Sequence, residues 1–289
     1  MYKLIAIDLD GTLLNSDGDI TEYNKKAINN KTEQGIKMAL ASGRNISAIK
    51  NIAKELNTVD YIISGDGAII YDFKNEKIIY ENCIPKSKAL SLMQICIENS
   101  ITYSVYTENS IIADTLKHNV LYYYRENLKK DETKKTNLKI VKDIYEYVQN
   151  MEDEHILNIS ICDDDKSIFN SVLNKLNKIP DIEVLEVSHV SRKTIKNGTE
   201  IVPLEYYYTE ISNKDVNKWN AIKFLLENLN IHKDEVIAIG DNINDRQMLT
   251  EAGIGIAMKG SSEEITSIAN IVTDFDNNND GVGKILEQF

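Results

Sequence analysis

Leu4-Ile5-Ala6-Ile7-Asp8-Leu9-Asp10-Gly11-Thr12 is a short apolar run that stops abruptly on two carboxylates. From Lys3 to Ile7 the pattern is that of a strand buried on both faces, the kind found inside parallel sheets. Ligands of open parallel sheets bind beyond the carboxyl ends of the strands, so this tip is the first place to look for chemistry. Asp8, at the tip, can present a carboxylate oxygen to an electrophile as a covalent nucleophile. Strand-like alternation puts Asp10 on the same side, suited to protonate a leaving oxygen and then to deprotonate water. Gly11 lets the chain turn sharply there.

The same design recurs on both sides of this stretch. Thr21 precedes a helix that closes near Gly35, and Lys37–Ala41 reads as a second strand. Ser42-Gly43-Arg44 and a helix through Ile46, Ile49 and Ile52 come next, then a third strand at Tyr61–Ile63. A β-α-β-α-β series predicts a parallel sheet covered by helices. Toward the end, Ile222, Leu225, Leu226 and Leu229 have helical spacing, and Glu235–Ile239 is a strand leading into Gly240-Asp241-Asn242. A helix at Met248 and Leu249, a Gly253–Ala257 strand and a last helix toward Phe289 complete the pattern. The middle differs. It carries the runs Tyr122-Tyr123-Tyr124 and Tyr206-Tyr207-Tyr208, longer polar strands such as Ile156–Ile161, and helices at Ser87–Glu98 and Lys166–Leu176. The expected fold is α/β: a parallel-sheet core over 1–82 and 209–289, split by an inserted α+β domain over 83–208. The tyrosine runs are read as strand formers.

Composition removes several function classes. With 289 residues, 42% hydrophobic and 27% charged, disorder and collagen-like structure are excluded, and two domains are expected. The net charge of −12 repels phosphate backbones and anionic lipid, so neither nucleic acid nor membrane is the expected partner. The three cysteines lack metal spacing and do not make a disulfide scaffold, which points to a reducing, cytoplasmic setting. Neither a signal peptide nor a membrane span is expected. His118, His155, His189 and His232 are scattered and define no metal site.

Three strand ends remain, at Asp8–Thr12, Ala41–Arg44 and Gly240–Asn242, remote in sequence and brought to one rim by the expected fold. Carboxylates crowded at such a rim repel one another unless a cation lies between them. Oxygen-only donors select a hard ion, Mg²⁺ being the natural choice, with Asp241 completing the set and Asp245 supporting it. Two carboxylates with separate tasks suit a substrate whose charge a metal cancels, such as a phosphate ester. An acidic chain that handles such an anion also needs local positive charge. Ser42 and Gly43 precede a helix whose free N–H groups favour an anion. Lys218 lies at the start of a helix with Asn217 as cap, where a cation opposes the dipole and is held for a purpose. Asn244 can donate to a phosphate oxygen. Arg44 either reaches the substrate or pairs with a surface acid, and Trp219 is read as core.

As a set, Asp8-Leu9-Asp10-Gly11-Thr12-Leu13-Leu14, Ala41-Ser42-Gly43-Arg44, Lys218 and Gly240-Asp241-Asn242-Ile243-Asn244-Asp245 resemble the motifs of the haloacid dehalogenase superfamily of phosphohydrolases. The likeness is to its Cof-like branch, which carries a large inserted cap of the C2B type; Gly253–Met258 and Asp280-Gly281-Val282 are similar to the same branch. The resemblance implies a Rossmann-like core with a cap that sets substrate specificity and closes over small phosphorylated metabolites, often sugar phosphates. It implies phosphorylation of Asp8, acid/base work by Asp10, and Mg²⁺ held by Asp8, the Asp10 backbone carbonyl and Asp241, with Asp245 beside them. Leu9 N–H, Ser42, Gly43, Lys218 and Asn244 would then hold phosphate. The chain departs from the family pattern in three places. Trp219 stands after the lysine where glycine is usual, Asp66-Gly67-Ala68 replaces an Asn-Gly-Ala turn, and Gly260-Ser261 replaces an Asn-Ala pair.

The expected activity is therefore a Mg²⁺-dependent phosphomonoesterase acting through an aspartyl-phosphate, in a monomer or weak homo-oligomer. A phosphomutase or phosphotransferase of the same superfamily shares Asp8 and Asp10 and differs in the acceptor. A non-enzymatic phospho-aspartate switch shares the Asp, Ser, Lys and Mg²⁺, but Asp10 and the inserted domain count against it.

Overall fold

β1 (Leu4–Asp8) is buried at every residue, as its unbroken apolar run requires of a central strand. The computed structural model describes residues 2–130, 132, 135–152, 154–185, 190–197 and 200–289, with backbone alone for 190–205. His189 lies outside the described residues. α1 (Glu22–Glu33) starts where the Thr21 side chain accepts from the Asn24 N–H, satisfying one of the unpaired donors of the first turn. β2 (Lys37–Ala41) then pairs parallel with β1. α2 (Ile46–Leu56) is capped by Asn45 and buries Ile46, Ile49, Ile52, Ala53 and Leu56 along one stripe; Asn57, at φ 55°, ends it in a left-handed cap. β3 (Tyr61–Ser64) is parallel to β2. Beyond it the chain makes two antiparallel strands that the sequence pattern did not announce, β4 (Ile69–Asp72) and β5 (Lys77–Glu81).

The next residues form a separate compact unit, Cys83–Asp215. It contains α3 (Lys86–Glu98), β6 (Thr102–Thr107), β7 (Ile111–Ala113), α4 (His118–Asn127), β8 (Leu138–Ile140), α5 (Ile144–Asn150), β9 (Ile156–Asp163), α6 (Lys166–Leu176), β10 (Ile182–Val184), β11 (Val190–Asn197) and β12 (Glu200–Asn213). Among the described residues the sheet runs β10-β12-β9-β6-β7-β8, with β11 paired to β12, and is antiparallel apart from β7–β8. One face is apolar: Val105, Ile159, Ile161 and Ile211 pack with Leu92, Phe169 and Val172 of the helices. The residues that alternate with these, Ser104, Asn158, Ser160 and Cys162, are polar or small and also buried. The expected return to the core at 208/209 falls inside β12, which continues to Asn213; the compact units divide at Asp215 and Val216. The two tyrosine runs also separate. Tyr206–Tyr208 lie on β12 as expected, but Tyr122–Tyr124 lie on α4, where packing overrides strand preference.

The core unit resumes with α7 (Lys218–Leu229), β13 (Val236–Gly240), α8 (Arg246–Glu251), β14 (Ile254–Ala257), α9 (Glu263–Thr266), β15 (Ile271–Val272) and α10 (Gly281–Leu286). Its sheet runs β15-β14-β13-β1-β2-β3-β4-β5. The chain works outward from β1 through β2 and β3 on one side and from β13 through β14 and β15 on the other. The switch point therefore lies between β1 and β13, where an open α/β sheet offers a crevice to ligands. Register does the rest: Ile7 pairs with Ile239 and Asp8 with Ala41, so Asp8, Ser42 and Asp241 emerge at one edge. Trp219 is buried in the apolar layer with Ile222, Leu225, Val236 and Met248. Among the described residues no helix is long and apolar enough to cross a membrane.

Candidate active site

Lys218 is the centre of the site. It is fully buried at the first residue of α7, and its Nζ donates to Asp8 Oδ1 and to Asp245 Oδ1, each at 2.6 Å. Asn217 caps the helix by accepting from the Asn220 N–H, which fixes where the lysine leaves the backbone. Burial works against its charge, but Asp245, Asp8 and Asp66 outweigh that and raise its pKa, so it stays an ammonium.

Asp8, Asp241 and Asp245 each bring a carboxylate oxygen within 4.8 Å of the others. Asp241 accepts from the Thr12 hydroxyl at 2.8 Å. Asp245 spends its second oxygen on the Asp241 and Asn242 N–H groups, at 3.0 and 3.1 Å, and so shapes the turn that aims Asp241. Gly11, at φ +87°, passes so close that a Cβ there would stand 2.4 Å from Asp241 Oδ2. Only glycine allows both that backbone angle and that approach. Burial and then Asp245 push the Asp8 carboxyl well above its usual range, and burial lifts Asp241 to about 6. Three carboxylates thus face one ammonium, an excess of negative charge in a poorly solvated place. An all-oxygen donor set of this kind fits a hard divalent cation.

Asp10 stands apart from this group. β1 ends at Asp8, so strand alternation does not carry through to Asp10, whose side chain is 57% exposed. Arg44 grips it with both arms of the guanidinium, Nε to Oδ2 at 2.8 Å and Nη2 to Oδ1 at 2.5 Å. Of the two partners open to Arg44, an acid is the one found, and that acid is Asp10. The loop beyond winds on itself, with the Leu9 carbonyl accepting from the N–H groups of Thr12 and Leu14.

Ser42 is buried, and its hydroxyl accepts from the Arg44 N–H at 3.2 Å. Because α2 begins only at Ile46, Ser42 and Gly43 lie ahead of its Asn45 cap rather than in its first turn. Asn244 sits in the turn Ile243–Asp245 and donates from Nδ2 to Asp66 Oδ1 at 2.9 Å. Two residues at the site, Thr12 and Asp66, carry no role that sequence reasoning assigned. The signal for Thr12 is its place directly after the glycine; for Asp66 it is the departure from an asparagine turn.

A parallel α/β core with acidic strand ends gathered beside a buried lysine fits a hydrolase of the phosphatase type. The chain belongs to the haloacid dehalogenase-like hydrolase family, whose model matches residues 5–286. It is 28% identical over 289 residues to the phosphatase YwpJ of Bacillus subtilis strain 168, covering 99% of each chain. To the 5-amino-6-(5-phospho-D-ribitylamino)uracil phosphatase YcsE of the same strain it is 25% identical over 287 residues, covering 99% of this chain and 95% of the relative. A solved haloacid dehalogenase-like hydrolase from B. subtilis superposes with a TM-score of 0.79 at 26% identity, over 99% of both chains.

Proposed function

We propose that the chain is a Mg²⁺-dependent phosphomonoesterase of the cytoplasm acting on small phosphorylated metabolites, sugar phosphates among them, with Asp8 as nucleophile. The convergence of the Asp8, Asp241 and Asp245 carboxylates, two of them bonded to the Lys218 ammonium, carries this reading. Asp8, the Asp10 carbonyl and Asp241 would hold the ion, with Asp245 behind them; when bound, it supplies charge neutralisation for the phosphoryl oxygens and for the attacking carboxylate.

The chain's own residues do the rest. Lys218 keeps an Asp8 oxygen in place by hydrogen bond and, with Ser42, Gly43, Asn244 and the Leu9 N–H, receives the phosphoryl oxygens. Asp8 attacks phosphorus; the ester oxygen leaves with a proton from Asp10, and Asp10 then takes a proton from the water that opens the aspartyl-phosphate. Arg44 holds Asp10 at the rim by occupying both carboxylate oxygens, and it must release one of them before Asp10 can carry the proton for either transfer. The relative named for a phosphorylated ribitylamino-uracil supports a small polar metabolite as the substrate class, and the inserted unit is the part that selects among such metabolites.

Phosphate release from a panel of sugar phosphates, nucleotides and cofactor phosphates, with Mg²⁺ and with chelator, tests the activity. Acid quench during turnover should add the mass of one phosphoryl group to the peptide carrying Asp8. Release that continues undiminished in chelator, or a peptide that never gains mass, rejects the mechanism. An isomerised product in place of free phosphate would make the chain a mutase.

A further inference from the structure

Asp66 lies in the turn Gly65–Gly67 directly after β3, with a left-handed backbone at φ 53° and ψ 28°. Asparagine and aspartate accept that conformation more readily than other residues with a Cβ. The turn is tied to the loop after β2 by three hydrogen bonds. The Asp66 N–H donates to the Ser42 carbonyl at 3.1 Å, the Gly65 N–H to the Arg44 carbonyl at 3.1 Å, and the Ser64 hydroxyl to the same carbonyl at 2.8 Å.

The Asp66 side chain meets three of the groups that the proposed function gives to the phosphoryl group. Its Oδ1 accepts from Asn244 Nδ2 at 2.9 Å and lies 3.9 Å from Lys218 Nζ. Its Oδ2 covers Gly43 so closely that a Cβ there would stand 2.8 Å away. The side chain is 19% exposed, and burial raises its pKa against the opposing pull of Lys218 and Asn244.

A carboxylate is a poor choice for lining an oxyanion pocket, so its presence needs a reason. The contacts supply two. An amide nitrogen has two hydrogens, and Asp66 takes one from Asn244, which fixes the rotation of the amide and leaves the other for an oxyanion. Lys218 already answers Asp8 and Asp245, and a third carboxylate 3.9 Å away weakens the positive field it offers a phosphate.

We propose that Asp66 is a positioning residue that aims the Asn244 amide and, by its charge, loosens the hold on phosphate so that the product leaves. The inference rests on the phosphatase reading of the site and gives it a feature of regulation, because a site that binds the phosphate dianion too well retains it and slows turnover.

The test uses the full chain with Mg²⁺ and reads the dissociation constant of inorganic phosphate by titration calorimetry. Asp66→Asn fits the left-handed turn, keeps an oxygen for Asn244 and deletes the charge. One charge acting on a dianion from about 5–6 Å through water-like screening is a factor of about ten, so phosphate should bind the variant about tenfold tighter. Asp66→Ala deletes the charge but leaves Asn244 without its acceptor, and should gain less. Asp66→Ser removes the charge in a residue that turns tolerate, and carries the tightening prediction should the asparagine variant fail to fold. A purely structural residue would never tighten binding on replacement.

Phosphate affinity unchanged or weaker in the asparagine or serine variant, or no phosphate binding by any form, overturns the proposal. Hydrolysis of p-nitrophenyl phosphate by the wild type is measured beside it. Its absence counts against the phosphatase reading, whereas hydrolysis with equal phosphate affinities counts against Asp66 alone.

Discussion

The two sheets solve the burial of polar groups in opposite ways. In the core unit the central strands β1 and β13 are buried at every residue, and polar chemistry is confined to their carboxyl ends and the loops beyond. In the inserted unit β9 alternates, with Ile159 and Ile161 toward the helices and Asn158, Ser160 and Cys162 on the other face. A parallel sheet covered on both faces has no room for polar side chains except at its rim, so every reactive group gathers at one edge. An antiparallel sheet can carry polar groups along one whole face, here met by α4, whose Asn119 bonds with Tyr206 and Cys162. The core concentrates charge at a point, and the insert distributes buried polar groups along one face of its sheet. A single substitution should therefore have very different effects depending on which sheet receives it.

The strongest test of that concentration is Asp8→Asn. It removes the proposed nucleophile while keeping shape, and hydrolysis should fall by about 10⁴-fold or more in kcat. Stability should not fall with it, because burial and Asp245 already disfavour charge at Asp8. Melting at or above the wild-type temperature with activity gone separates chemistry from folding. Lys218→Met does the reverse. It leaves Asp8 and Asp245 buried without their ammonium, and breaking a buried pair from one side costs about 3–5 kcal/mol, read as a drop in the urea midpoint. An unchanged midpoint would mean that the carboxylates are not held by Lys218.

Much of the core was legible because its signals are local. The apolar run before Asp8, the Thr21 and Asn217 caps and the spacing of Ile46, Ile49 and Ile52 each depend on a few neighbouring residues. What escaped depends on pairing at a distance. Arg44 and Asp10 are 34 positions apart, and Thr12 and Asp241 are 229 apart, so neither bond has a trace in sequence order. The β4–β5 hairpin leaves a weak mark because its strands are only four and five residues long. Tyr122–Tyr124 misled for the opposite reason. Three strand formers in a row carry a strong local preference, which α4 overrides. Asp66 left only a broken motif as its mark, and its meaning appears once Gly43, Lys218 and Asn244 surround it.

The insert offers a contrast on its apolar face. Phe169 of α6 is fully buried, 6.0 Å from the Tyr207 ring between centroids. Phe169→Ala should cost about 3–5 kcal/mol, a pure packing loss. Hydrogen exchange should show it, with β9 amides losing protection while β1 amides and the stabilisation by Mg²⁺ persist. Equal loss of protection in both sheets would mean that the two units unfold as one.

The smallest expected effect concerns the rim itself, and pH gives it a sign. Asp241 has its carboxyl pushed to about 6, chiefly by burial and then by Asp245, against 3.8 for a free side chain. Between these values the folded protein binds more protons than the unfolded chain, so metal-free stability falls as pH rises through that range, and the whole penalty is present above about 6. Asp241→Asn keeps an oxygen for the Thr12 hydroxyl but cannot ionise. In chelator, its melting temperature should therefore match the wild type near pH 4 and exceed it by a few degrees near pH 7. Added Mg²⁺ should reverse the order, raising the wild type and leaving the variant where it was, since binding to the folded state alone stabilises it. A gap between the two proteins that ignores both pH and Mg²⁺ would mean that the rim carries no unbalanced charge. The contrast between a core that concentrates charge and an insert that disperses polarity would then fail at its sharpest point.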